Sequence, residues 1–164
     1  PPTPAKEGHA PHFAQDRRVK PRVTARLLLT SPAGRLALMR VPGFGGGTVW
    51  VTFGGRLEPG ETLEEGAARE GFEETGRRDI VLGPAIHVRD VVIVIEGEET
   101  ALHETFFVAR QPDEAISDEG WTEEEKTKIE AVRWWSLEEL RATSEIVQPR
   151  NLPDLLAEAL ERLA

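Results

Sequence analysis

Three glutamates close together in the sequence, Glu70, Glu73 and Glu74, have the type and spacing to do chemistry. In a helix of 3.6 residues per turn, positions i, i+3 and i+4 fall inside an arc of roughly 100°, so their carboxylates share one side. Glu70 and Glu74 stand at i, i+4, where like charges repel by about a few tenths of a kcal/mol. A cation between them would offset that cost. An all-oxygen donor set suits a hard ion such as Mg²⁺, Mn²⁺ or Ca²⁺ rather than zinc. The plainer alternative is a solvated helix face: Glu65, Arg69, Glu73 and Arg77 alternate in sign at i, i+4 spacing, which supports an exposed helix. That alternative leaves Glu70 and Glu74 unexplained.

The flanking residues say which elements position these side chains. Thr62 and Glu65, three apart after Pro59-Gly60, have the spacing of a capping box, so the helix begins near Thr62. Gly76 suits the left-handed position past a helix end, so it stops near Thr75. Upstream, Thr48 to Phe53 reads as a short strand that delivers Gly54-Gly55, where the missing side chains let backbone approach a ligand closely.

Read as Gly55, five residues, Glu61, seven residues, Arg69-Glu70, two residues, Glu73-Glu74, one residue, Gly76, the stretch resembles the signature box of the Nudix hydrolases, with all seven strongly fixed positions filled. The resemblance covers roughly residues 21 to 163. It implies an α/β (α+β) fold, an α/β/α sandwich on a mixed central sheet, and cleavage of a phosphoanhydride in a nucleoside diphosphate linked to some moiety X. It also implies Mg²⁺ or Mn²⁺ held by Glu70, Glu73, Glu74 and the Gly55 carbonyl, with Arg69 orienting the glutamates and Glu61 standing behind them. The general base would be Glu70 or a carboxylate from outside the box. Three positions depart from the pattern: Gly71 and Arg77 replace apolar residues, and Phe53 replaces the usual proline. Phe72 is expected to supply the apolar surface that Gly71 lacks.

The 164 residues fit one domain, read as residues 22–164 behind a Pro-rich, flexible arm over 1–21 that carries His9 and His12. The absence of cysteine excludes disulfides, thiolate metal sites and a cysteine nucleophile. A net charge of -9 argues against a broad grip on nucleic-acid backbone, including removal of pyrophosphate from RNA 5′ ends. It does not exclude a small anionic substrate, because bound cations dominate the local field. No apolar run approaches the ~20 residues of a membrane helix, and the first residues carry no signal-peptide core; no membrane association and a cytoplasmic location are the expectation.

Outside the box, strands are expected over Val23 to Thr30, Leu36 to Val41, Asp79 to Leu82, His87 to Glu96, Leu102 to Arg110 and Ile129 to Trp135. Gly43 to Gly47 reads as a mobile lip. Arg26 and Arg40 face either a phosphate site or solvent. Trp50 serves core packing or base stacking. Glu104 interrupts an apolar strand beside Phe106 and Phe107; it is a catalytic-site residue or an edge-facing glutamate, and if inward it needs a partner. Gln111 to Lys128 reads as a long acidic loop anchored by Trp121, and loops of that length are usually functional or disordered. Glu119, Glu123, Glu124 and Glu125 are its candidates for a base, with Glu123 also a substrate contact. Ser136 and Glu139 form a second capping box, Trp134 and Trp135 point to opposite faces, and the stripe Leu152, Leu155, Leu156, Ala159, Leu160, Leu163 docks a C-terminal helix.

The resemblance therefore implies a small-molecule nucleotide as partner. Members of that family are often homodimers, so a homodimer is one possible assembly, and the sequence itself sets no oligomeric state. The chain has no tyrosine, so the Tyr of diadenosine-polyphosphate enzymes is missing. Val91 to Ile93 stand where ADP-sugar members carry proline. A nucleoside triphosphate or small nucleotide derivative is left. The alternative is a Nudix-fold module that binds a nucleotide without turnover, which the departures at positions 71 and 77 favour.

Overall fold

A computed structural model describes residues 20–95 and 97–163. The arm read over residues 1–21, with His9 and His12, lies outside the described residues except for Lys20 and Pro21. The elements are β1 (Arg22–Thr30), β2 (Leu36–Pro42), β3 (Thr48–Val51), β4 (Phe53–Arg56), α1 (Leu63–Thr75), β5 (Val81–Ile95), β6 (Glu98–Arg110), α2 (Glu123–Lys128), β7 (Ala131–Trp135), α3 (Leu137–Ala142), β8 (Val147–Gln148) and α4 (Leu152–Leu163).

One mixed sheet runs in the order β5-β6-β1-β2-β3-β8, with β4 paired to β1 and β7 to β2. The β1-β6 and β3-β8 pairs are parallel and the others antiparallel. Because side chains alternate across a strand, the sheet feeds two cores. Ala25, Leu27, Leu29, Ala37, Met39, Phe53 and Phe107 pack with Ala67 of α1. Leu28, Leu36, Leu38, Trp50 and Phe106 pack with Leu140 of α3 and with Leu152, Leu155 and Leu156 of α4. Trp134 joins the first cluster and Trp135 the second, as the opposite-face reading requires. Helices thus cover both faces of a mixed sheet.

β1 is shared in a way that matters for the site. Its first half pairs with β4, from Thr24 opposite Arg56 to Leu27 opposite Phe53, while β2 joins it at Thr30 opposite Leu36. The Gly54-Gly55 segment of β4 is therefore laid against the centre of the sheet, directly under α1.

Several boundaries differ from expectation. The strand read as Thr48 to Phe53 is broken at Thr52 into β3 and β4, where an arginine side chain takes the Thr52 carbonyl. The two strands expected on either side of Gly83-Pro84 are one long β5 whose register shifts twice, between Leu82 and Ala85 and between Ala85 and His87; bulges absorb residues that would otherwise end it. The acidic loop ends early, at the start of α2. Among the described residues no helix is long and apolar enough to cross a membrane.

Candidate active site

Helix α1 is fixed at both ends by local chemistry. The Thr62 hydroxyl accepts from the Glu65 amide at 3.1 Å, and the Glu65 carboxylate accepts from the Thr62 amide at 2.9 Å. Gly76 adopts φ 71° beyond Thr75 and donates to the Phe72 carbonyl. At Gly71 an added Cβ would lie 3.0 Å from Leu27 Cδ1 and 3.5 Å from Ile80 Cδ1. Leu27 and Ile80 thus fill the space of the missing side chain, and the expectation for Phe72 is corrected: it is 38% exposed beneath the Arg78 guanidinium.

Along the outer side of α1, Arg69 gathers most of the neighbouring negative charge. Its Nε and Nη2 donate to both Glu61 oxygens at 2.6 and 3.0 Å, and Nη1 donates to Glu70 at 3.0 Å and Glu73 at 3.2 Å. Nη2 also reaches the Arg56 carbonyl at 3.0 Å. The Arg69 bonds, and then the Glu58 amide, hold the Glu61 carboxyl below its ordinary value. Glu73, 47% exposed, lies in this neutralised group.

The inner side is different. Glu74 is only 6% exposed, and its Oε2 accepts from the Gly54 amide at 2.7 Å. Burial pushes its carboxyl well above the carboxylate range, against the pull of that amide; Glu70 and Glu125 push it further, and Arg26 pulls it back. Burial also raises Glu70, opposed by Arg69, with Glu73 and Glu125 adding to the rise. The Gly55 backbone faces Glu70 so closely that an added Cβ would lie 2.6 Å from Glu70 Oε1. Glu125 completes the group from α2: its Oε2 is buried with no hydrogen-bond partner.

Glu125 is the residue that sequence reasoning left undistinguished among its acidic neighbours, and its spacing points to a cap rather than to the site. Thr122 and Glu125 repeat the Thr-x-x-Glu spacing of the other helix starts. At Thr62/Glu65 and Ser136/Glu139 the glutamate reaches back to the cap. At Thr122 the hydroxyl accepts from the Glu125 amide, but the returning carboxylate bond is absent. The Glu125 side chain is spent elsewhere, near Glu70 and Glu74.

The loop leading to α2 is clasped onto the end of α1. The Ser117 amide donates to the Thr75 carbonyl at 2.9 Å, and Trp121 Nε1 donates to the Glu74 carbonyl at 2.8 Å. Gly120 is pressed against α1, where an added Cβ would sit 2.5 Å from the Glu73 carbonyl oxygen. Arg77 makes paired bonds to Asp79 and to Asp113. The charged residue at an expected apolar position is therefore what ties the loop down.

Other expected site residues land elsewhere. Glu123 is 95% exposed beside Lys126, so this acidic segment brings Glu125, not Glu123, to the cluster. Arg40 pairs with Glu130 at 3.2 Å. Trp50 is buried edge-on against Trp135 with ring centroids 5.2 Å apart, a packing role that removes it from base stacking. Glu104, 1% exposed, is inward as one reading required, and is held by Arg26 and Arg89. Among the described residues no three His, Cys, Asp or Glu side chains are gathered tightly enough to ligate one ion as they stand, as carboxylates of like charge repel one another. The donor chemistry nevertheless fits a hard divalent cation: Glu70, Glu74 and Glu125 are oxygen donors in a partly buried place, and among the described residues one Glu125 oxygen is orphaned and no guanidinium is bonded to Glu74 or Glu125.

Helices on both faces of a mixed sheet, with a Gly-Gly strand segment set against under-neutralised carboxylates, define an α/β protein with an all-oxygen acidic site. The NUDIX domain model matches residues 20–155, and the chain belongs to the Nudix family. It is 44% identical over 55 residues to the mouse (Mus musculus) oxidized purine nucleoside triphosphate hydrolase, a match spanning 34% of this chain and only 35% of that relative. A NUDIX-family hydrolase from Clostridium perfringens superposes with TM-score 0.63 at 19% identity, covering 89% of this chain and 100% of that one. The MutT protein from Methanosarcina mazei Go1 gives 0.59 at 22%, covering 88% and 96%. At these identities the structures share the fold.

Proposed function

We propose that this protein hydrolyses a phosphoanhydride bond in a nucleoside diphosphate linked to X, using Mg²⁺ or Mn²⁺. The observation that carries the reading is the buried Glu74 carboxylate, which among the described residues has a backbone amide but no cationic side chain bonded to it, next to the orphaned oxygen of Glu125. Leaving such charges unmatched is costly, and a bound dication is the usual reason to keep them. When bound, divalent ions neutralise a diphosphate and lower the pKa of an attacking water.

The chain's own residues divide the remaining work. Glu70, Glu74, Glu125 and the Gly55 carbonyl would hold the ions, with Glu73 available if Arg69 releases it. Glu70 or Glu125 would take the water's proton as positioned general base; of the two, Glu125 has the unoccupied oxygen. Arg69, through Glu61 and the Arg56 carbonyl, would fix the orientation of Glu70. A nucleoside triphosphate is the first substrate class to try, since the mouse relative acts on oxidized purine nucleoside triphosphates.

The rival reading, a nucleotide-binding module without turnover, drew its support from positions 71 and 77. That support is weakened, because Leu27 and Ile80 fill the space beside Gly71 and Arg77 anchors the loop before Glu125. Release of phosphate or pyrophosphate across a nucleotide panel with Mg²⁺ and Mn²⁺ tests the proposal. Turnover lost in Glu74→Gln is expected; nucleotide binding with no release by the wild type supports the module instead.

A further inference from the structure

Glu104 and Arg26 are two of the expected site residues that the metal cluster does not absorb, and they are joined. Arg26 Nε donates to Glu104 Oε1 at 3.2 Å. The other end of the same guanidinium, Nη1, donates to the carbonyls of Gly54 at 3.0 Å and Thr52 at 3.3 Å. Glu104 is gripped on its second oxygen by Arg89 Nε and Nη2 at 2.8 and 2.5 Å, and Arg89 Nη1 reaches Gln148 in β8 at 3.0 Å. These side chains come from β1, β6, β5 and β8, four strands of the sheet. Gly54 lies in β4, the strand of the same sheet that packs against α1.

Gly54 is thus fastened from both sides. Its amide donates to Glu74 and its carbonyl accepts from Arg26. Its φ is +130°, and an added Cβ would lie 2.2 Å from the Ala25 carbonyl oxygen and 2.7 Å from Arg26 Cα, so this part of β4 lies close against β1. A metal ligand presented by backbone has no rotamer to adjust, and its position depends on whatever holds the peptide.

We propose that Glu104 and Arg26 form a strut that sets the position of the Gly54-Gly55 segment of β4, and hence of the Gly55 carbonyl and the Glu74 carboxylate. Glu104 acts through Arg26 and Arg26 through that segment, so both are positioning residues and neither touches the reacting atoms. Arg89 keeps Glu104 in place but makes no bond to the Gly54-Gly55 segment. The inference rests on the metal-site reading above, and the experiment separates the two.

Mn²⁺ affinity of the nucleotide-free protein is measured by calorimetry for the wild type, Arg26→Lys, Arg89→Lys and Glu74→Gln, with thermal unfolding alongside. Lysine cannot fork between Glu104 and two carbonyls. Arg26→Lys is expected to weaken Mn²⁺ roughly 10- to 100-fold, the usual effect of removing a residue that orients metal ligands, and to lower kcat with little change in nucleotide KM at saturating metal. Arg89→Lys loosens Glu104 without touching the Gly54 and Thr52 carbonyls, so it is expected to lower the unfolding temperature and to weaken Mn²⁺ less than Arg26→Lys does; a larger loss than in Arg26→Lys contradicts the strut. Wild-type Mn²⁺ affinity in Arg26→Lys, or a rise in KM alone, overturns the strut. Wild-type affinity in Glu74→Gln instead overturns the metal site itself. Should Arg26→Lys not fold, wild-type crystal structures with and without Mn²⁺ decide: the Arg26 bonds to Gly54 and Thr52 are expected in both, and their release on metal binding contradicts the proposal.

Discussion

Glu74 and Glu104 are the same residue type at nearly the same depth, 6% and 1% exposed, in opposite electrostatic circumstances. Glu104 has a guanidinium on each oxygen. Glu74 has one backbone amide bonded to it, two carboxylates pushing against its charge, and Arg26 only as a counter-charge it does not bond. A buried charge that is paired on every side serves the fold, whereas one left short of a counter-charge is being kept for something that arrives later. Under the proposals above, that difference is what would make Glu104 a positioning residue and Glu74 a metal ligand.

Substitutions should separate them most strongly. Glu74→Gln is expected to remove several kcal/mol of metal-supplied stabilisation from the transition state, roughly a thousandfold in turnover, while leaving thermal stability equal or higher. Glu104→Gln should do the reverse to the fold, costing about 3 to 5 kcal/mol in denaturant unfolding by stranding two arginines. If both variants unfold alike and both retain turnover, the contrast is wrong.

The pH dependence of the metal-free protein sharpens the same contrast. Glu70 and Glu74 are raised above the ordinary value of 4.5, so the folded state favours their protonated form. The stability they contribute is fully present below that value and is lost as pH climbs through the raised values. Glu61, Asp79, Asp113, Glu124 and Glu139 are lowered, so their contribution is present above the ordinary carboxylate range and is lost as pH falls through their depressed values. Metal-free unfolding free energy should therefore fall as pH rises above 4.5, and saturating Mg²⁺ should flatten the slope. Persistence of the slope in Glu74→Gln would assign it to other groups.

The smallest effect is expected at Gly71→Ala. Helix propensity favours alanine by about 1 kcal/mol, but the new methyl meets Leu27 at 3.0 Å, so stability should shift by less than that amount.

The elements around the box were legible because each has a local cause. Thr62, Glu65 and Gly76 mark both ends of α1, Ser136 and Glu139 start α3, and the leucine stripe marks α4. What was not legible depends on distant partners. Thr52 breaks a strand because an arginine from β1 takes its carbonyl, and β5 runs through Gly83-Pro84 because β6 pairs with it on both sides of the bulges. The exposed Glu123 and the half-buried Glu125 look alike in sequence. What separates them is a clasp made by Arg77, Ser117 and Trp121, visible only once the loop is seated on the helix.

Calorimetric titration of Mn²⁺ into nucleotide-free wild type, Glu74→Gln, Glu125→Gln and Glu123→Gln reaches the centre of this account. Binding should be clear in the wild type and in Glu123→Gln, and weakened at least about tenfold in the other two. A wild type that takes up no Mn²⁺, or a Glu74→Gln variant that binds it as tightly as the wild type, would contradict it.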